Sequence, residues 1–177
     1  MKYPLVVLLY LMFISCSKEG GNMFFGNKIE KIIKNKNRQE AIIEIDKLLM
    51  PIFCKNPDKL TLYETNYIYI QELANEINNG GFDQYFFNSG GNNTMEAINA
   101  LEIVGSKIIL NLLKKAVSKF PNGIVPKDRK ERQKLLLEIN GNDEGLWNEL
   151  DQEFYKDEED IYKLLFNYIR KNIDHFR

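Results

Sequence analysis

A chain of 177 residues, 44% hydrophobic and 28% charged, has the composition of one globular domain with a core of ordinary size. Its formal net charge of -1 excludes the basic footprint of a generic nucleic-acid binder, and it announces no acidic mimic either. Two distant cysteines, Cys16 and Cys54, give no disulfide framework and no metal-ligand spacing.

The first fifteen residues read as a leader. Lys2 is followed by an apolar run, Leu5 to Ile14, too short to span a bilayer but suited to a secretory h-region. Phe13-Ile14-Ser15-Cys16 resembles a bacterial lipobox, with phenylalanine where leucine is usual. That resemblance implies cleavage before Cys16 and a diacylglyceryl group on it, hence a lipid-anchored envelope protein. The plain alternatives are an uncleaved anchor helix or a buried helix with a chance cysteine. Residues 16–27 read as a flexible tether and 28–177 as the domain.

A weak helix is expected over Phe24 to Asn35, and a better one over Arg38 to Met50, ended by Pro51. Cys54 follows in a connection and reads as a small buried apolar residue. Thr61 and Glu64 have capping-box spacing at the start of a long helix to Asn79, with Tyr67, Ile70, Leu73, Ala74 and Ile77 inward. Gly80 and Gly81 lie where a left-handed cap is expected. Phe82, Tyr85 and Phe86 then share one face of a single helical turn, which must be buried by its neighbours to be stable. Asn88 to Gly91 open a loop.

Asn93 and Glu96 repeat the capping logic before a helix carrying Ala97, Ala100, Leu101 and Val104 inward. Gly105 marks a kink or break, and Ser106 can cap a helix over Lys107 to Phe120. Phe120-Pro121-Asn122-Gly123 is a turn. Further helices are expected over Pro126 to Ile139, with Leu135, Leu136, Leu137 and Ile139 apolar, over Glu144 to Tyr155 capped by Asp143, and over Asp160 to Ile173. No segment alternates as a half-buried strand does. The fold class is all-α, a single domain of seven or eight helices.

The stretch Asn78 to Gly91 also carries a resemblance. Asn78, Gly80, Gly81, Phe82, Gln84, Tyr85, Phe86, Asn88 and Gly90 resemble the signature of a bacterial family named for a DNA-mimic protein. Ala97, Ala100, Leu101, Val104 and Gly105 continue it, as do Phe120, Pro121, Pro126, Asp128 and Arg132. Leu150, Asp151, Phe154, Tyr155, Leu164, Leu165, Tyr168 and Ile169 in the tail are similar too. The likeness runs from about Ile42 to the C-terminus. It implies DNA mimicry, a DNA-binding protein as partner, and dimerisation.

Chemistry is sparse. His175, the only histidine, lies two residues from the end, where chains commonly fray, so the histidine-based catalytic and zinc motifs are excluded. Neither glycine pair has the lysine of a phosphate loop, and Gly141 to Gly145 lacks calcium-loop spacing. No cofactor and no metal is expected. Asp83 beside Gln84 and Tyr85 leaves a carboxylate enzyme as the alternative class, while Asp83 and Asp128 also suit helix N-termini. Asn78, Asn88 and Gln84 suit either loop hydrogen bonds or recognition of a peptide backbone.

Charge is segregated. Nine basic residues crowd Lys107 to Lys134, and nine carboxylates crowd Asp143 to Asp160. Glu149, Glu153, Asp157 and Asp160 form one acidic face if the segment is helical. Duplex DNA carries a charge every ~1.7 Å, so imitation over a helix of about 30 Å wants roughly eighteen charges. The acidic segment supplies half of that, beside a basic block able to pair with it. The sequence therefore reads as a non-enzymatic protein-binding module on the envelope, inhibitor-like or immunity-like, meeting an unidentified protein rather than nucleic acid. A cytoplasmic DNA mimic is the alternative.

Overall fold

The computed structural model describes residues 25–141, 145–156 and 160–176. Eight α-helices are described: α1 (Phe25–Asn35), α2 (Arg38–Lys55), α3 (Leu62–Phe87), α4 (Thr94–Val104), α5 (Ile108–Val117), α6 (Arg129–Asn140), α7 (Asn148–Tyr155) and α8 (Ile161–Lys171). No strand occurs among the described residues, so the expected all-α class holds. None of these helices is long and apolar enough to cross a membrane. The leader and Cys16 lie outside the described residues; α1 starts at Phe25, inside the stretch read as tether.

The longest helix, α3, is the axis of the domain. Thr61 accepts from Glu64 N–H while Glu64 accepts from Thr61 N–H at 2.7 Å, the reciprocal cap expected from the sequence. Its inward residues Tyr67, Ile70, Leu73 and Ile77 are fully buried. Helices α2, α4, α6 and α7 pack around it, α5 lies against α4 and α7, and α8 packs on α2 and α4.

Several local expectations are corrected. Pro51 does not end α2, which runs on to Lys55. The ring removes one amide donor, yet the next turn persists until Asn56 N–H bonds Ile52 O at 2.8 Å and Pro57 follows. Cys54, on that extra turn, is an exposed free thiol rather than a buried one. The Asn93 side chain does not cap α4 but reaches back to Glu72; Thr94 Oγ1 instead donates to Gly91 O at 2.9 Å. The helix after Gly105 starts at Ile108, with no side-chain cap from Lys107 in the N-cap position. Gly105 itself is left-handed (φ 83°) and breaks the chain between α4 and α5.

Helix α6 starts after Asp128, which caps it by accepting from Glu131 N–H at 2.9 Å; Pro126 and Lys127 precede it. Leu136 is buried but Leu137 is exposed. The chain end is docked, not frayed. Phe176 is buried, Thr61 Oγ1 donates to the His175 carbonyl at 2.8 Å, and the His175 ring stacks on Tyr63 at 4.1 Å.

Candidate functional site

The signature stretch forms a joint inside α3. Gly80 (φ −164°, ψ 28°) and Gly81 (φ 74°, ψ −173°) leave helical geometry, and the chain re-enters a helix at Phe82. Gly81 has the positive φ, but its ψ is extended, so the pair does not form the left-handed cap expected of it. A β-carbon there costs about 1–3 kcal/mol in backbone strain, because positive φ with extended ψ is essentially confined to glycine, and it would collide with the Asp151 carboxylate. That carboxylate, from α7, accepts from Phe82 N–H at 2.8 Å and caps the restarted turn. Asp83, expected in that role, turns instead to Asn140, which donates to it at 2.6 Å and accepts from Trp147 Nε1–H at 3.1 Å. Burial raises the Asp151 pKa, the Phe82 N–H bond lowers it, and Asp83 nearby raises it again.

The other end of the turn is closed by α6. Arg132, 0% exposed, donates to Phe86 O at 2.6 Å, Asn88 O at 2.8 Å, Asn92 Oδ1 at 2.8 Å and Pro126 O at 2.7 Å. Arg129 and Gln133 donate to Phe87 O. A short helix segment therefore has a carboxylate at its N-terminus and cations at its C-terminus, the arrangement its dipole favours. Desolvation lowers the Arg132 pKa. Gly91 sits so close to the guanidinium that a β-carbon would press on Arg132 Nε.

The face of this turn is the aromatic centre of the core. Phe86 lies 4.8 Å from Phe120, 5.2 Å from Tyr85 and 5.3 Å from Trp147, ring centre to ring centre. Phe82 and Tyr85 are buried with it, as expected. On the outer side, Gln84 Nε2 and Asn88 Nδ2 both donate to Glu76, at 2.7 and 2.9 Å. Asn78 and Phe87 are exposed. Tyr155 donates from its hydroxyl to Ile77 O at 2.7 Å, near the break. Beside the joint, burial raises the pKa of Glu72 and of the Tyr85 phenol.

Of the expected acidic face, Glu149 and Glu153 share α7, and Asp160 lies just before α8. Asp160 caps α8 and pairs with Arg38 of α2. Asp157, with Asp143 and Glu144, lies outside the described residues. Glu153 joins the acidic segment to the basic one through Lys115 at 3.5 Å; Lys114 and Lys127 pair instead with Glu102 and Glu96 of α4. Among the described residues, no three His, Cys, Asp or Glu side chains are grouped to hold a metal ion.

Sequence reasoning missed Asp151, Arg132, Glu76 and Asn140 as parts of this joint. Arg132 had a readable signal: it lies one helical turn before Leu136, on the inward face of α6. Asp151 had none beyond the resemblance, because its partner is a backbone N–H sixty-nine residues away in sequence.

The domain is all-helical and built on a broken central helix, whose restarted turn is capped from α7 at one end and closed from α6 at the other. The chain belongs to the DMP19-like protein family, whose model matches residues 58–172. The match begins after α2, later than the resemblance near Ile42 suggested, and covers α3 to α8. No curated protein and no solved structure matches the chain.

Proposed function

We propose that this domain is a non-catalytic protein-binding module whose partner is a DNA-binding protein. The carrying observation is that five polar side chains at the joint are each held by another group of the domain. Asp83 is held by Asn140, Gln84 and Asn88 by Glu76, Asp151 by Phe82 N–H, and Arg132 by carbonyl groups. Catalysis needs a group poised for a substrate; these build a rigid frame. Family membership supports the partner class, and the run of carboxylates from Glu149 to Asp160 carries negative charge attractive to a basic partner.

Coupled to a sensor surface, the domain should capture a DNA-binding protein from its own cells and release it to excess duplex DNA. A variant with Glu149→Gln, Glu153→Gln, Asp157→Asn and Asp160→Asn keeps an amide cap on α8. It should melt close to the parent yet bind the partner about tenfold more weakly. A partner that stays bound through excess duplex, or undiminished binding by the variant, overturns the reading.

The leader favours a second reading, an envelope lipoprotein acting on an envelope or extracellular protein. Its support is the apolar run from Leu5 to Ile14 and the Ser15-Cys16 pair. An exported chain does not meet cytoplasmic DNA-binding proteins, so one measurement separates the two. Under this reading intact mass shows a diacylated Cys16 as the new N-terminus in the envelope fraction, lost in Cys16→Ala. A full-length unmodified chain in the soluble fraction leaves the first reading alone.

A further inference from the structure

The helices before the family-matched region are held by a second polar joint. Asp46 of α2 accepts from Tyr67 Oη at 2.6 Å and from Gln71 Nε2 at 2.8 Å, both on α3. The same Tyr67 hydroxyl lies 3.2 Å from Ile42 O. Three contacts thus meet, but with Asp46 ionised only two hydrogens serve them, one from Tyr67 and one from Gln71. The hydroxyl can bond Ile42 O or Asp46, not both. With a proton on Asp46 Oδ1, that proton goes to Tyr67 Oη, the tyrosine hydrogen goes to Ile42 O, and Gln71 keeps Oδ2. All three contacts are then made without moving a heavy atom.

We propose that Asp46, Tyr67 and Gln71 form a proton-operated clamp that holds the α1–α2 layer on the family domain, tight when Asp46 is protonated and looser when it is ionised. The surroundings agree. Tyr67 is fully buried, and the Phe176 ring packs on it edge to face at 6.4 Å. Among the described residues no cation pairs with the carboxylate: the titratable groups facing it are Tyr67 from α3 and, reaching Tyr67 from α8, Tyr162. Three cations of this layer pair with other carboxylates at its solvent edge, in Lys36–Glu44, Arg38–Asp160 and, on α1, Lys34–Glu30. Burial raises the Asp46 pKa to about 6, against the pull of its two donors.

The sign follows from linkage. A carboxyl whose folded pKa is raised gives stability present below its unfolded value, lost as pH rises through about 6. In sequence the layer precedes the matched domain, so loosening it acts on the N-terminal side of the domain without touching α4 or α5.

Two measurements on the full chain test the clamp. Carbon-13 NMR of the carboxyl groups should show Asp46 titrating near pH 6. Hydrogen exchange, corrected for intrinsic rates, should show α2 protection falling about tenfold relative to α4 between pH 5 and pH 8. In Asp46→Asn that ratio should stay flat. Titration of Asp46 near pH 4, or a ratio in the parent chain that does not change with pH, overturns the proposal. The parent-chain measurements decide the matter even if the variant fails to fold.

Discussion

Replacing Arg132 by methionine is expected to cost roughly 3–5 kcal/mol and to lower the melting temperature by about 10 °C. The side chain is fully buried and its donors are spent on carbonyl oxygens of the joint and of the approach to α6. Methionine matches much of the volume and removes every donor. The carbonyls of Phe86 and Asn88 then lose the bonds that close the helical turn. Each buried acceptor left without a donor costs about 1–3 kcal/mol. Arg132→Lys should recover under half of the loss, because one ammonium cannot span acceptors that the planar guanidinium reaches together. A melting shift below about 2 °C for Arg132→Met would mean that water replaces the guanidinium, and the joint would not depend on it.

The helices were legible because helix signals are local. The Thr61 and Glu64 box, the inward run from Tyr67 to Ile77, and the N-terminal carboxylate Asp128 are set by residues close in the chain. The need for glycine at the pair was legible for the same reason, since a positive φ at Gly81 is a property of that residue, although its extended ψ makes a break rather than the left-handed cap expected. What lay beyond local reading was the pairing of distant groups. Charge segregation suggested two opposed surfaces, yet the most buried member of the basic block, Arg132, and one of the acidic block, Asp151, are turned inward onto backbone atoms of α3. They bracket the same short turn and never meet. Cys54 failed for a simpler reason. Its exposure depends on α2 continuing past Pro51, a continuation the local rule for proline argues against.

Truncating Phe86 to alanine should cost about 3–5 kcal/mol, comparable to Arg132→Met but by a different route. Its ring is the point where Phe82, Tyr85, Phe120 and Trp147 converge, from α3, the turn after α5, and the start of α7. Alanine leaves a cavity walled by rigid rings, which collapse poorly, so the loss should fall in the upper part of the range. Phe86→Leu, which keeps most of the volume, should cost less than about 2 kcal/mol. Chemical denaturation gives both values, and the order distinguishes packing from backbone effects. If the cost comes from the cavity, leucine recovers most of it. If the turn is held chiefly by Asp151 and Arg132, both substitutions stay mild and equal. Because Phe86 also lends its carbonyl to Arg132, Phe86→Ala and Arg132→Met should not add. A double variant whose loss equals the sum of the single ones would show that the aromatic centre and the buried guanidinium stabilise the joint independently.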